Sequence, residues 1–219
     1  FMDYGLTNKV VIVTGGATGI GKAIAQAFHG EGAIVVTNGR DEEKLKSALA
    51  DIGERARGIR ADLTKAEDCQ ALFEYAESFG PVEYLVNNIG IFESKSFFDF
   101  DDARWFEYFD FNIMTGVRMS RLALQPMLER NAGSILFISS DAAVKAIPWM
   151  VPYSMTKAAQ LGLARALAEV TKGSKVRVNT LMPGPTATES VRTYFGQIAE
   201  QTGVTLDEVL RTLLNPDYP

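Results

Sequence analysis

Lys9-Val10-Val11-Ile12-Val13-Thr14 runs straight into Gly15-Gly16-Ala17-Thr18-Gly19-Ile20-Gly21, and this junction decides the reading of the chain. The first stretch is an almost unbroken β-branched run, the pattern of a parallel strand covered on both faces. Lys22-Ala23-Ile24-Ala25-Gln26-Ala27-Phe28 then reads as a helix. A strand that turns this sharply into a helix, with a ligand close to its backbone, needs residues that lack Cβ and tolerate positive φ. The helix start offers free N–H groups and a partial positive charge to an anion. Gly15, Thr18, Gly19, Ile20 and Gly21 are therefore the expected pyrophosphate-binding residues.

Outward from this point, apolar strands and amphipathic helices alternate. Ala33–Thr37, Gly58–Asp62, Glu83–Asn87, Ser134–Ser139 and Lys175–Leu181 read as strands. Glu42–Ile52, Lys65–Ser78, Asp101–Glu129 and Ser154–Thr171 read as helices, the third with Pro126 near its end. Thr64 is placed to cap the helix from Lys65, with Glu67 completing a capping box. The alternation implies parallel strands with right-handed helical crossovers: an α/β fold, a doubly wound parallel sheet, Rossmann-like. No linker, repeat or low-complexity segment interrupts it, so a single domain over residues 1–219 is expected.

Composition narrows the function classes. Hydrophobic residues are 47% and charged residues 22%, which excludes a disordered chain. Lys plus Arg is 22 against 27 for Asp plus Glu, a net charge of -5 that argues against a nucleic-acid partner. A single cysteine, Cys69, excludes an internal disulfide, and a single histidine, His29, leaves no Cys/His cluster for a metal. No apolar run is long enough to predict a membrane span. Phe1-Met2-Asp3-Tyr4 does not read as a secretory signal, so a cytoplasmic location is expected.

The second strand ends in Thr37-Asn38-Gly39-Arg40. NAD-binding folds of this kind often place an acid there for the ribose 2′-hydroxyl. Here Gly39 and Arg40 stand in its place, and a guanidinium grips a 2′-phosphate through charge-assisted bonds. Asp41, one residue further on, points elsewhere. NADP is the expected cofactor, with NAD as the alternative.

The glycine spacing is Gly-x3-Gly-x-Gly, and in this form the sequence resembles the short-chain dehydrogenase/reductase family. The resemblance continues in order through Asn87-Asn88-Ile89-Gly90, Ile138-Ser139-Ser140, Tyr153-Ser154-Met155-Thr156-Lys157 and Pro183-Gly184. Among its members it is similar to the 3-oxoacyl-carrier-protein reductases. The resemblance implies an NADP-dependent oxidoreductase that transfers a hydride between nicotinamide and a carbonyl or secondary alcohol substrate. An NAD-dependent alcohol, sugar or steroid dehydrogenase of the same family, or a cofactor-binding regulator without chemistry, is the competing reading. By the same resemblance, Asp62 and Leu63 lie against the adenine and Asn88 and Gly90 at the ribose. Asn87 ties neighbouring strands, and Pro183, Gly184, Thr186 and Thr188 lie along the nicotinamide.

Tyr153 and Lys157 are four residues apart and share a helix face. A phenol with its reference pKa of about 10 already holds the proton that a carbonyl oxygen needs on reduction. To act as a base at neutral pH, its phenolate needs roughly 4 kcal/mol of selective stabilisation. A nearby ammonium, Lys157, has the right sign to supply it. Ser140 stands at the end of the fifth strand, beyond which ligands of open α/β sheets bind, and its hydroxyl suits a substrate oxygen. The resemblance assigns Asn112 the fourth catalytic position, ordering a water that continues the proton path from the lysine.

Ile91, Phe92, Ala142, Ile147, Trp149, Met150, Tyr194 and Phe195 are candidate substrate-facing residues, mostly apolar. The resemblance implies a homodimer or homotetramer built on Asp101–Glu129 and Tyr153–Thr171. Residues 189–214 read as a helical lid. A seventh strand, implied by the resemblance, is missing from the expected elements.

Overall fold

The structure is a computed structural model that describes residues 3–213. Its strands are β1 (Val10–Val13), β2 (Ile34–Gly39), β3 (Ala56–Arg60), β4 (Val82–Asn87), β5 (Ser134–Ile138) and β6 (Arg177–Leu181). Its helices are α1 (Gly19–Gly30), α2 (Glu42–Ile52), α3 (Ala66–Glu77), α4 (Asp102–Phe109), α5 (Thr115–Glu129), α6 (Val151–Val170), α7 (Glu189–Thr202) and α8 (Leu206–Leu213). The strands form one sheet in the order β3-β2-β1-β4-β5-β6, and every neighbouring pair is parallel. This is the doubly wound sheet that the alternating pattern predicts. The order reverses between β1 and β4, so a crevice opens beyond their carboxyl ends.

Successive residues along the strands face opposite sides of the sheet. Ile12, Leu85, Ile135 and Phe137 pack on one face with Leu72 of α3 and Met119 and Met127 of α5. Val11, Val13, Val35, Val86 and Ile138 pack on the other with Ala25 of α1 and Ile52 of α2. All four residues of β1 are buried, which is why its sequence is apolar without alternation.

Two local expectations are corrected. The first is the start of α3, whose N-cap is Lys65, with no side-chain capping bond. Thr64 instead turns back, donating its N–H and hydroxyl to Asp62 Oδ1, and Asp68 rather than Glu67 reaches back to accept from Asp62 N at 2.6 Å. An Asx-type turn has displaced the capping box. The second is the long helix expected over Asp101–Glu129. It is broken by a π-helical turn at Asp110–Met114, which lies between α4 and α5. There Thr115 N bonds Asp110 O, and the Thr115 hydroxyl donates to Phe111 O at 2.7 Å, so the carbonyls no longer follow the α pattern.

The described residues fall into two compact units that divide between Met182 and Pro183. The first holds the sheet. The second is helical, as expected for residues 189–214, although residue 214 lies outside the described residues. Within it, Phe195 and Ala199 of α7 and Val209 of α8 form a small core, with Tyr194 and Leu206 beside them. Gly203, at φ 72°, ends α7 in the left-handed conformation that favours glycine. No helix among the described residues is long and apolar enough to cross a membrane.

Leu85 is fully buried in the middle of the sheet, whereas Val144 is 70% exposed. Leu85→Ala is expected to lower the unfolding free energy by about 2–5 kcal/mol. Val144→Ala is expected to stay within about 0.5 kcal/mol of the parent. Urea titrations of the two variants check the contrast.

Candidate active site

The glycine turn after β1 is held by buried polar side chains from the next strand. Thr37 Oγ1 accepts from Gly16 N at 2.8 Å and donates to Val13 O at 2.6 Å. Asn38 Oδ1 accepts from Gly15 N at 3.0 Å, and its amide donates to Ala61 O at 3.0 Å beyond the end of β3. Gly15 and Gly19 take φ of 66° and 56°, where a side chain is strained. Gly21 meets a different demand, because a Cβ there would lie 2.5 Å from Asn88 Nδ2 and 2.6 Å from Gly15 O. Thr18 is the N-cap of α1, and its side chain makes no capping bond. The Ile20 side chain packs into the sheet's core, so it is the backbone at Gly19, Ile20 and Gly21 that suits a phosphate.

Asn88 links the two strands at the switch point. Its N–H donates to Thr14 Oγ1 at 2.9 Å and its side-chain amide to Thr14 O at 3.0 Å. Asn87, expected to tie strands together, instead joins β4 to α5 by donating to Ser120 Oγ at 3.0 Å. Ile89 turns its side chain toward Gly15, where a Cβ would sit 3.0 Å from Ile89 Cγ1. Leu63 is buried in the core, which leaves only its backbone for a ligand, and Asp62 is engaged with Thr64. Arg40 is exposed, with its guanidinium 5.2 Å from the centre of the Phe111 ring. Asp41 turns away and caps α2 by accepting from Lys44 N at 3.0 Å.

The expected catalytic residues converge beyond β5. Ser140 Oγ accepts from Ala142 N at 3.1 Å and donates to Asp141 Oδ1 at 3.0 Å. Tyr153 and Lys157 stand on α6, and the Lys157 Nζ lies 5.6 Å from the centre of the Tyr153 ring. Phe92 packs edge-on against that ring at 6.1 Å. Burial pushes the Tyr153 pKa up; a hydrogen bond with Ser140 lowers it, and the Asp141 carboxylate adds to the rise. Lys157 is 4% exposed, and burial pushes its pKa down to about 8. Its ammonium donates to Ile138 O at 2.8 Å and to Gln160 Oε1 at 3.3 Å. With the protein's own groups alone, Tyr153 therefore stays an acid.

Asn112 sits in the π-helical turn. Its side chain accepts from Ile91 N at 2.7 Å and donates to Thr156 Oγ1 at 2.8 Å and Ile91 O at 3.1 Å. Gly90 fits between Lys157 and Asn112, since a Cβ there would be 3.3 Å from Lys157 Nζ and 3.4 Å from Asn112 Oδ1. Pro183, Gly184, Thr186 and Thr188 belong to the second unit. There Thr186 Oγ1 donates to Gly184 O at 3.0 Å, and Thr188 Oγ1 caps α7 by accepting from Val191 N at 3.3 Å. Thr37, Asn38 and Gln160 were missed in the sequence. The first two carry a usable signal, because they are polar residues at the end of an otherwise apolar strand.

A family profile described as "short chain dehydrogenase" matches residues 9–198. "Uncharacterized oxidoreductase YvrD" of Bacillus subtilis (strain 168) is 42% identical over 220 residues, covering 100% of this chain and 84% of its own length. The structure of L-sorbose reductase from Gluconobacter frateurii, complexed with NADPH and L-sorbose, superposes with a TM-score of 0.90 at 30% identity, covering 96% of this chain and 82% of that one. An actinorhodin polyketide ketoreductase variant with NADPH superposes with a TM-score of 0.87 at 28% identity, covering 92% of this chain and 79% of that one.

Lys157 gives the site a pH signature. Its folded value is about 8 and the ordinary value is 10.5, so between them the unfolded chain binds the additional proton. Stability then rises with pH across that window, and this group adds no pH dependence below it or above it. Lys157→Met is expected to remove the rise. Urea midpoints of parent and variant, taken from pH 8 to 10.5, check this, and equal slopes would contradict it.

Proposed function

As the chain belongs to the short chain dehydrogenase family, we propose that it is an NADP-dependent oxidoreductase interconverting a carbonyl and a secondary alcohol, with Tyr153 as the acid–base group. The observation that carries this reading is the placement of Tyr153 and the buried Lys157 one helical turn apart on α6, with the Lys157 Nζ 5.6 Å from the centre of the Tyr153 ring. The glycine turn fits a dinucleotide, because its positive-φ glycines and the close approach at Gly21 leave backbone where side chains would stand. Gly15, Thr18, Gly19, Ile20 and Gly21 would hold the pyrophosphate, and Asp62 and the Leu63 backbone the adenine. Asn88 and Gly90 would hold the ribose, and Pro183, Gly184, Thr186 and Thr188 the nicotinamide. When bound, the cofactor supplies or accepts the hydride.

In the reducing direction Ser140 holds the substrate oxygen and the Tyr153 hydroxyl gives it a proton. The raised Tyr153 pKa keeps that proton in place through neutral pH and favours reduction. Lys157 then faces the phenolate that remains. Arg40 supports NADP, since its guanidinium is exposed at the end of β2 and pairs with no carboxylate among the described residues, while Asp41 is committed to its cap. The NADPH bound to the sorbose reductase and the polyketide ketoreductase supports the same choice. Phe106 and Phe109 on α4 are 74% and 44% exposed, which supports a homo-oligomer through this helix.

Two measurements test the reading. A spectrophotometric panel of ketones, 3-oxoacyl esters, quinones and sugars identifies the substrate by NADPH oxidation. On it, Tyr153→Phe is expected to lose about 10²–10⁴ in kcat, the range of general acid catalysis, while still quenching with NADPH. A variant as fast as the parent would refute Tyr153 as the acid. Arg40→Ala is expected to weaken NADPH binding by about 10–100-fold, the worth of a charge-assisted bond, and to leave NADH binding nearly unchanged. Equal losses for both nucleotides would remove the 2′-phosphate role.

A further inference from the structure

Gln160 is 2% exposed on α6, and its whole side-chain amide is committed. Gln160 Nε2 donates to the main-chain carbonyl of Asn112 at 2.6 Å, and Gln160 Oε1 accepts from Lys157 Nζ at 3.3 Å. One amide thus spans two helical segments, from the ammonium on α6 to a main-chain carbonyl in the π-helical turn. A buried amide with both ends satisfied is rigid, and leaving either end unpaired would be costly.

We propose that Gln160 is a positioning residue that fixes the Lys157 ammonium by tying it to the Asn112 carbonyl. The inference rests on Tyr153 and Lys157 as the acid–base pair of the proposed function. An ammonium has three donors. Ile138 O and Gln160 Oε1 take two of them, so the third is aimed rather than free to rotate. Without the amide, Lys157 keeps one anchor and its stem gains rotamers. The role assigned to Asn112 changes with it, because the Asn112 carbonyl meets an amide that belongs to the same unit as the lysine. Asn112 then acts on the lysine through Gln160.

The groups around Lys157 are few. Tyr153 faces it from the same helix, Ile138 O from β5, and Gly90 and Asn112 from the segments beyond β4 and α4. Asp141 acts on Tyr153, and Asp110 of the π-helical turn is paired with Arg118 at 2.8 Å. A change at Gln160 is therefore read through Lys157 with little interference.

The test uses the full chain and two variants, followed through the stability rise expected to begin near pH 8 in the parent. Gln160→Leu removes an acceptor from the ammonium and is expected to move the rise to lower pH by about one unit. Gln160→Glu restores an acceptor with a negative charge and is expected to move it upward. In a Lys157→Met background neither change should move anything. On the panel ketone that the parent reduces fastest, Gln160→Leu is expected to lose about tenfold or more in kcat, with KM within about twofold. A rise that stays in place in both single variants would overturn the proposal, even if both were less stable. If the parent reduced no panel ketone, the proposed function would fail, and the pH profiles would still decide on Gln160.

Discussion

A primary ammonium buried at the carboxyl end of a parallel sheet is the constraint around which this site is built. Lys157 is 4% exposed, and an unpaired charge in such a place costs several kcal/mol. The fold meets that cost with oxygens rather than with a carboxylate. Ile138 O at the end of β5 and Gln160 Oε1 accept from the ammonium, and no carboxylate stands beside it among its described bonds. A carboxylate would have stabilised the charge more strongly and would also have cancelled it. Neutral acceptors leave the positive field available to whatever stands next to Lys157, and Tyr153 is what stands there.

The break between α4 and α5 meets the lysine's helix through one contact. A regular α-helix spends each carbonyl on the N–H four residues later. At Asp110–Met114 the pattern slips, Phe111 O accepts from the Thr115 hydroxyl and Asn112 O accepts from Gln160. The Asn112 side chain, meanwhile, is pinned to Ile91 and Thr156. The helix gives up regular bonds and gains a junction between the segment after β4 and α6. Bulges of this kind are frequent at functional sites, and here the reason is visible in the partners.

This division explains what was legible in the sequence. The β1–glycine–α1 junction was readable because strand burial, positive φ and close approach each demand particular residue types within a few positions. Tyr153 and Lys157 stood out as candidates because helical spacing puts them on one face and because they fall in register with the glycine turn and Ser140. The doubly wound order followed from alternation. The π-helical turn was not readable, since Asp101–Glu129 has an amphipathic pattern throughout and the contact of its Asn112 carbonyl with Gln160 spans 48 residues of sequence. The cap of α3 was misread because Thr64 and Asp62 compete for the same N-terminal bonds, and short-range pattern does not rank them. Thr37 and Asn38 were passed over as strand residues, although the glycine turn hangs on them.

The two perturbed groups push in opposite directions for one reason. Burial raises the Tyr153 pKa and lowers that of Lys157 to about 8, so each charge alone is penalised. The penalty falls on isolated charges and not on a pair. In the proposed reaction, a phenolate at Tyr153 beside a protonated Lys157 would be attracted to it in a medium that screens the two charges weakly. On that proposal, burial would penalise either charge alone more than the pair. Aim is what makes this work, because Coulombic gain falls with distance and a mobile ammonium would average it away. An ammonium held by Ile138 and Gln160 has that aim before any substrate arrives, which is the condition for electrostatic preorganisation.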